Sequence, residues 1–403
     1  MPYYRRVGQV PKKRHTTFRQ PDGGLFHEEM MGAEGFSSDC SLLYHLHPPT
    51  TLTDVQSWEP EALALEPNAP ARPRHFRPSD LEGDGLFGED AVLGRRLVAG
   101  NDDVEIFWAA PTTTSPLYRN AMGDEVTFVV SGRARVETVF GVLEVERGDY
   151  VHIPTTTTHR WIPLEGDDPL RLLITAARGH ITPPAKYLSK RGQFLEHAPY
   201  CERDLRVPAT TFLADGGEVD VYVRHREGSA VLTFAHHPFD VVGWDGCLYP
   251  YAFSIHDFEP VVGAILQPPP TYQTFQGPNF VMCSFVPHML EFHPEAIPVP
   301  YNHGNVDSDE LMFYWNGNFS SRGKTSGIQQ YSMSVHPTGW SHGPHPGAVE
   351  GALDLVESGV SFVDETAVMI DTFKPMRFGC AALDSDQPDY YRTWFQPVSG
   401  SAA

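Results

Sequence analysis

The stretch Tyr118-Arg-Asn-Ala-Met-Gly-Asp-Glu125-Val-Thr-Phe-Val-Val-Ser-Gly132 returns, in phase, as His303-Gly-Asn-Val-Asp-Ser-Asp-Glu310-Leu-Met-Phe-Tyr-Trp-Asn-Gly317. Asn, Asp, Glu, Phe and Gly coincide without a gap. Downstream of each copy comes Pro, four residues and His: Pro154-Thr-Thr-Thr-Thr-His159 and Pro337-Thr-Gly-Trp-Ser-His342. The Glu-to-His separations are 34 and 32 residues. Two independent features recurring in the same order at nearly the same distance mark a duplicated unit. Working outward, apolar residues come in short runs bounded by Gly, Pro, Asn or Asp, as at 126–130, 142–145 and 280–285, which is strand-like patterning. Helical periodicity is confined to AVEGALDLVESG, from Ala348. The 35 Gly and 36 Pro among 403 residues supply turns for many short strands, so the chain reads as mostly β.

In the first copy, Gly148-Asp149, then Pro154, then His159 resemble the second sequence motif of the cupins. The resemblance implies a bicupin, two cupin-like β-barrels from an internal duplication, with few helices. A small antiparallel barrel suits the short strands, because alternate residues of each face its interior and can carry ligands there. On this reading 1–50, rich in Arg, Lys, Gly and His, is an N-terminal arm packing on another subunit or domain. The region 51–260 holds a cupin without metal, its core at about 100–180, and 261–403 holds the cupin with the metal, its core at about 290–350. The proline-rich, acidic segment 60–84 reads as an extended linker or surface excursion.

Charge and cysteines narrow the function. Lys and Arg number 30 against 51 Asp and Glu, a net charge of −21, which argues against nucleic acid or an anionic membrane surface as partner. No stretch holds eighteen uninterrupted apolar residues. Cys40, Cys201, Cys247, Cys283 and Cys380 are scattered without C-x-x-C spacing. They read as free thiols in a reducing compartment, and a cytoplasmic protein is expected.

The copies differ where chemistry would sit. Tyr118 stands where the second copy has His303, so only the second joins His303, Glu310 and His342. Two neutral imidazoles and one carboxylate, with remaining positions open, form the ligand set suited to non-haem Fe(II) oxygenases. Asn305 occupies the second position of the His-x-His pair that three-histidine cupins carry, which weakens a four-ligand Mn, Zn or Ni site. Glu125 and His159, lacking a third ligand, read as relics satisfied by internal hydrogen bonds. His336 is either a hydrogen-bond donor to substrate or a partner that fixes a ligand's tautomer. His345 reads as a loop residue holding a turn, and His288 and His293 as possible borders of the pocket.

PYNHGNVDSDELMFYWNGNF and HPTGWSHGPHPGAVE resemble the homogentisate 1,2-dioxygenase family in its shorter bacterial form. The resemblance extends to FDVVGWDGCLYPYAFSIHDFEP and to the N-terminal YYRRVGQVPKKRHTTFRQPDGGLFHEEMMGAEGFSS. It implies that His303, Glu310 and His342 hold iron, that Tyr301 lines the substrate pocket, that His336 helps position substrate, and that Arg322 is a basic residue near the site. It implies insertion of both atoms of O2 into homogentisate to give maleylacetoacetate, in a homo-oligomer. One departure stands out: the family's usual histidine before Gln-Thr-Phe is here Tyr272. A phenol, with a pKa of about 10, is a poor base near neutrality, so Tyr272 is expected to orient substrate or to mark a changed one.

An aromatic acid entering a protein of net charge −21 needs a local cation, and Arg322 or Lys324 is the candidate, unless both are solvated loop charges. Two other readings stay open: a related ring-cleaving dioxygenase for a different hydroxylated aromatic acid, and a non-catalytic metabolite-binding bicupin.

Overall fold

Glu125–Ser131 and Asp309–Gly317, the strands that carry the repeated motif, each run between two antiparallel neighbours. The first lies between Asp149–Ile153 and Arg171–Ala177, with Glu125 opposite Ile153 and Ala176. The second lies between Met333–His336 and Glu365–Thr372, with Glu310 opposite His336 and Asp371. All seven residues of Glu125–Ser131 are buried, as befits a strand covered on both faces. At Gly141–Glu146 burial alternates instead, the pattern of a half-solvated strand.

The computed structural model describes residues 3–60, 64–84, 88–322 and 326–395. It forms two units, one of Met1–Leu63, Phe87–Arg96 and Glu105–Asp257, the other of Ala64–Leu86, Leu97–Val104 and Phe258–Ala403. The duplication extends to hydrogen bonds. Asp124 accepts at Oδ1 from the Thr155 amide (2.7 Å) and at Oδ2 from the Ile181 amide (2.9 Å). Asp309 accepts at Oδ1 from the Thr338 amide (2.8 Å) and at Oδ2 from the Met376 amide (2.7 Å). In both repeats the motif aspartate fastens the loop that follows the motif proline. Gly132 and Gly317 both have left-handed φ, +74° and +97°, which glycine adopts at no steric cost.

The second repeat continues past 350, since Glu365–Thr372 is its counterpart of Arg171–Ala177. The helix expected from Ala348 spans Ala348–Glu357 and buries Ala348 and Ala352. Two expectations are corrected. Residues 1–50, expected as an arm packing on another subunit or domain, supply Arg5–Gly8, His27–Gly32 and Cys40–His45 to a four-stranded sheet with Val241–Gly246 in the first unit. Nor is 60–84 only a linker, because Arg74–Phe76 is buried and pairs with Met333–His336 within the second unit. The prolines there flank a strand at a sheet edge, where a missing N–H is tolerated.

Candidate metal centre

His303 and His342 face each other across a two-stranded ladder, their ring centroids 4.3 Å apart. Glu310 projects from the neighbouring sheet, and ligand atoms of the three residues all lie within 4.8 Å of one another. Nε2 of His303 is 3.8 Å from Oε2 of Glu310, and Nε2 of His342 is 3.4 Å from Oε1. Nδ1 of His303 donates to the carbonyl of Tyr301 at 3.0 Å, and Nδ1 of His342 to that of Trp340 at 3.2 Å. With the proton fixed on Nδ1, each ring turns an Nε2 lone pair toward the carboxylate. Buried Nε2 of His342 has no hydrogen-bond partner. Lone pairs converging on an anion fit a cation, and this donor set fits a divalent ion such as Fe(II).

The carboxylate is supported from behind. His336, fully buried, donates from Nδ1 to Oε1 of Glu310 at 3.0 Å and stacks on His342 with centroids 4.0 Å apart. Its Nε2 lies 3.5 Å from the hydroxyl of Tyr390. Burial pushes His336 down to about 3, so it stays neutral. Burial alone would raise the Glu310 carboxyl, but the histidines around it, His303, His336 and His342, hold it well below the ordinary range. Asp371, opposite Glu310, shows the reverse: burial and then the Glu310 charge push it well up, and its Oδ1 has no partner. Two nearby buried carboxyls do not both ionise readily.

In the first repeat Tyr118, Ile153 and Ala176 occupy the positions of His303, His336 and Asp371. A protein cation is present as well. Nη1 of Arg95 lies 3.0 Å from Oε1 of Glu125, and the guanidinium sits 4.8 Å from the Tyr118 ring centroid. Glu125 is therefore satisfied internally, as expected of a relic. His159 is only half so: Nδ1 donates to the Thr157 carbonyl at 2.9 Å, while Nε2 is buried without a partner. Among the described residues, only His303, Glu310 and His342 form a His/Cys/Asp/Glu group with metal-binding geometry.

A cavity of about 280 Å³ reaches His303, with Tyr272, Phe285, His288, Leu290 and Tyr301 in its wall. Tyr272 is buried and stacks on Phe285 at 4.9 Å, and burial, then the Glu291 charge, pushes its phenol up to about 12. Tyr301 is exposed and meets the His303 ring edge-on at 6.3 Å. His336 is absent from the described lining and meets Glu310 instead. Arg322 is neither a solvated loop charge nor part of that lining. It is buried, its guanidinium 5.4 Å from the Tyr314 centroid and its Nη1 3.4 Å from the Gly343 carbonyl. Burial opposes its charge, but Tyr314, Tyr390 and Glu310 raise its pKa further. Lys324 lies outside the described residues. His345 is buried, stacks on Trp394 at 4.0 Å and lies 2.8 Å through Nε2 from the Thr393 hydroxyl. His293 accepts at Nδ1 from the Glu295 amide and does not line the cavity.

Arg95, Asp371 and Tyr390 escaped the sequence reading. Only strand register sets Asp371 against Ala176, since they follow the motif glutamates by 61 and 51 residues, and nothing in the sequence marks Arg95, 30 residues before its partner.

Comparison with known proteins adds three relatives and a domain family. The cupin domain family matches residues 107–176, within the first repeat. A Saccharolobus solfataricus protein named "Putative dioxygenase" is 37% identical over 397 residues, covering 98% of this chain and all of that one. Homogentisate 1,2-dioxygenase of Nitrobacter hamburgensis is 24% identical, covering 92% of this chain and 86% of its own. The Rhizobium etli protein of the same name is 28% identical, covering 96% and 89%.

Proposed function

The chain belongs to the dioxygenase family of its Saccharolobus solfataricus relative, and on that premise we propose a non-haem Fe(II) enzyme that opens the ring of a hydroxylated aromatic with O2. The observation that carries the reading is the convergence of His303, Glu310 and His342, with a ring-sized cavity reaching His303. Homogentisate, in the names of the relatives at 24% and 28% identity, is the first substrate to test, with maleylacetoacetate as product. No helix among the described residues is long and apolar enough to cross a membrane, and all five cysteines are free. Both facts support a cytoplasmic location.

Bound by His303, Glu310 and His342, Fe(II) supplies a Lewis acid for a ring hydroxyl and the redox partner for O2. The chain's own residues do the rest. The carbonyls of Tyr301 and Trp340 fix the two imidazole tautomers, and His336 fixes the carboxylate. Phe285, Leu290, Val286 and Val299 exclude water from the ring. Tyr272, protonated at neutral pH, donates a hydrogen bond to a substrate oxygen without taking its proton.

One observation favours a second reading, a dioxygenase for another hydroxylated aromatic. No Arg or Lys is among the described residues that line the cavity, while Glu291 and Glu365 are. The test is to load the protein with Fe(II) under anaerobic conditions, add homogentisate, gentisate or hydroquinone in turn, and follow O2 uptake with ring-opened product. Turnover of homogentisate selects the first reading, and turnover of another phenol selects the second. Iron-free, inert protein selects a metabolite-binding bicupin.

A further inference from the structure

A phenol that is to meet a metal as phenolate must lose its proton, and Tyr272 stands where the related family is expected to have a basic histidine. Its phenol, pushed up to about 12, takes no proton at neutral pH. His336 is sealed behind Glu310, and His303 and His342 present their lone pairs to that carboxylate. Among the described cavity residues this leaves His288, with Glu291 and Glu365, as proton acceptors.

His288 is built for the task. Its strand, His288–Met289, pairs with Phe362–Val363, which anchors the backbone on the cavity wall. Nδ1 donates to the carbonyl of Val286 at 2.9 Å, so the proton sits on Nδ1 and Nε2 carries the lone pair. The imidazole centroid is 6.2 Å from that of Tyr272, and both rings line the cavity that reaches His303. A basic nitrogen, a phenolic donor and a metal-ligating histidine thus border one ring-sized space.

Resting on the dioxygenase reading above, we infer that His288 is the general base of this site, taking over at a different position the role that Tyr272 cannot fill. The substrate O–H bond breaks, its electron pair stays on oxygen, and the proton passes to Nε2 of His288. The imidazolium keeps its Nδ1–H bond to the Val286 carbonyl. When the ring has opened, Nε2 returns the proton to a product oxygen, so the cycle neither gains nor loses one.

Two variants separate basicity from fold. His288→Asn keeps an N–H donor near the Nδ1 position for the Val286 carbonyl, and His288→Gln places an uncharged amide near the Nε2 position. With Fe(II)-loaded protein, both lower kcat by roughly a hundredfold to ten-thousandfold while iron content stays at the wild-type level. The second readout is independent of turnover. Anaerobic calorimetric titration with hydroquinone, repeated in two buffers of different ionisation enthalpy, counts protons released on binding. Wild type keeps the proton on His288 and releases none, whereas each variant releases close to one. Variants within threefold of wild-type kcat, with unchanged proton release, overturn the role of His288 alone. A wild-type enzyme that consumes no O2 with any dihydroxylated aromatic overturns the dioxygenase reading, and this inference with it.

Discussion

Arg95 lies with Nη1 3.0 Å from Oε1 of Glu125, so the first repeat carries a tethered cation beside the carboxylate it shares with the second. The pair is buried on both sides. Removing one partner strands the other charge, so Arg95→Met should cost about 3–5 kcal/mol. Adding Glu125→Gln should recover much of the loss. Urea melts of the two variants check this, and a loss under about 1 kcal/mol for Arg95→Met would contradict it.

Among the described residues no such ion pair tethers Glu310, so on the proposed reading the second unit takes an ion that can leave. Anaerobically reconstituted protein should hold close to one iron per chain, and His303→Ala or Glu310→Ala close to none. Fe(II) at a hundredfold over its Kd should add about 2.7 kcal/mol of stability. A melting temperature indifferent to Fe(II) and chelator counts against the site.

His336 meets Glu310 through Nδ1 and is not among the described residues that line the cavity. His336→Ala should weaken metal binding about 10–100-fold, read by competition with a chromophoric chelator. His336→Asn keeps a donor near Nδ1 and should restore part of the affinity. Equal loss in both would mean that packing on His342, not the hydrogen bond, is what matters.

If Tyr272 donates a hydrogen bond and is no base, Tyr272→Phe forfeits about 0.5–1.5 kcal/mol, or roughly 2–10-fold in kcat/KM. Steady-state O2 uptake measures it. A thousandfold fall would make Tyr272 the proton acceptor and displace His288.

His45 supplies a pH signature in the first unit. Burial opposes its charge, but Asp240 at 2.6 Å and Glu29 at 3.1 Å raise it to about 9. With a folded pKa above the unfolded value of about 6.5, its contribution is full below pH 6.5 and lost as pH rises through 9. It amounts to on the order of 1–3 kcal/mol. Thermal melts from pH 6 to 10 should decline across that window, and His45→Asn should flatten the decline.

Much of the frame was legible because the chain repeats itself. Asn, Asp, Glu, Phe and Gly recur at fixed spacing, and that recurrence singled out His303, Glu310 and His342 together before any coordinates. The surroundings were legible only in part: His336 stood among the candidates, but its place beside Glu310, like that of Asp371, depends on register between strands far apart in sequence. Only the pairing of Asp309–Gly317 with its two neighbours sets His336 and Asp371 beside Glu310. Arg322, expected either to meet a substrate carboxylate or to be a solvated loop charge, is turned inward over Tyr314 by the fold, which its Gly, Ser and Lys neighbours in sequence do not signal. The prolines of 60–84 likewise masked a buried edge strand, because composition reports flexibility and not what the chain pairs with.

The order of the two units along the chain bears on how such a protein can be rearranged. The segment that delivers Arg95 is bracketed by two stretches of the other unit, Ala64–Leu86 and Leu97–Val104. A break near residue 260 would part Met333–His336 from Arg74–Phe76, and Arg377–Phe378 from Ala99 and Gly100. The half that carries His303, Glu310 and His342 is therefore not a transplantable cassette. Gene fusion, truncation or exchange of halves between relatives has to carry the first hundred residues along with the last hundred and forty.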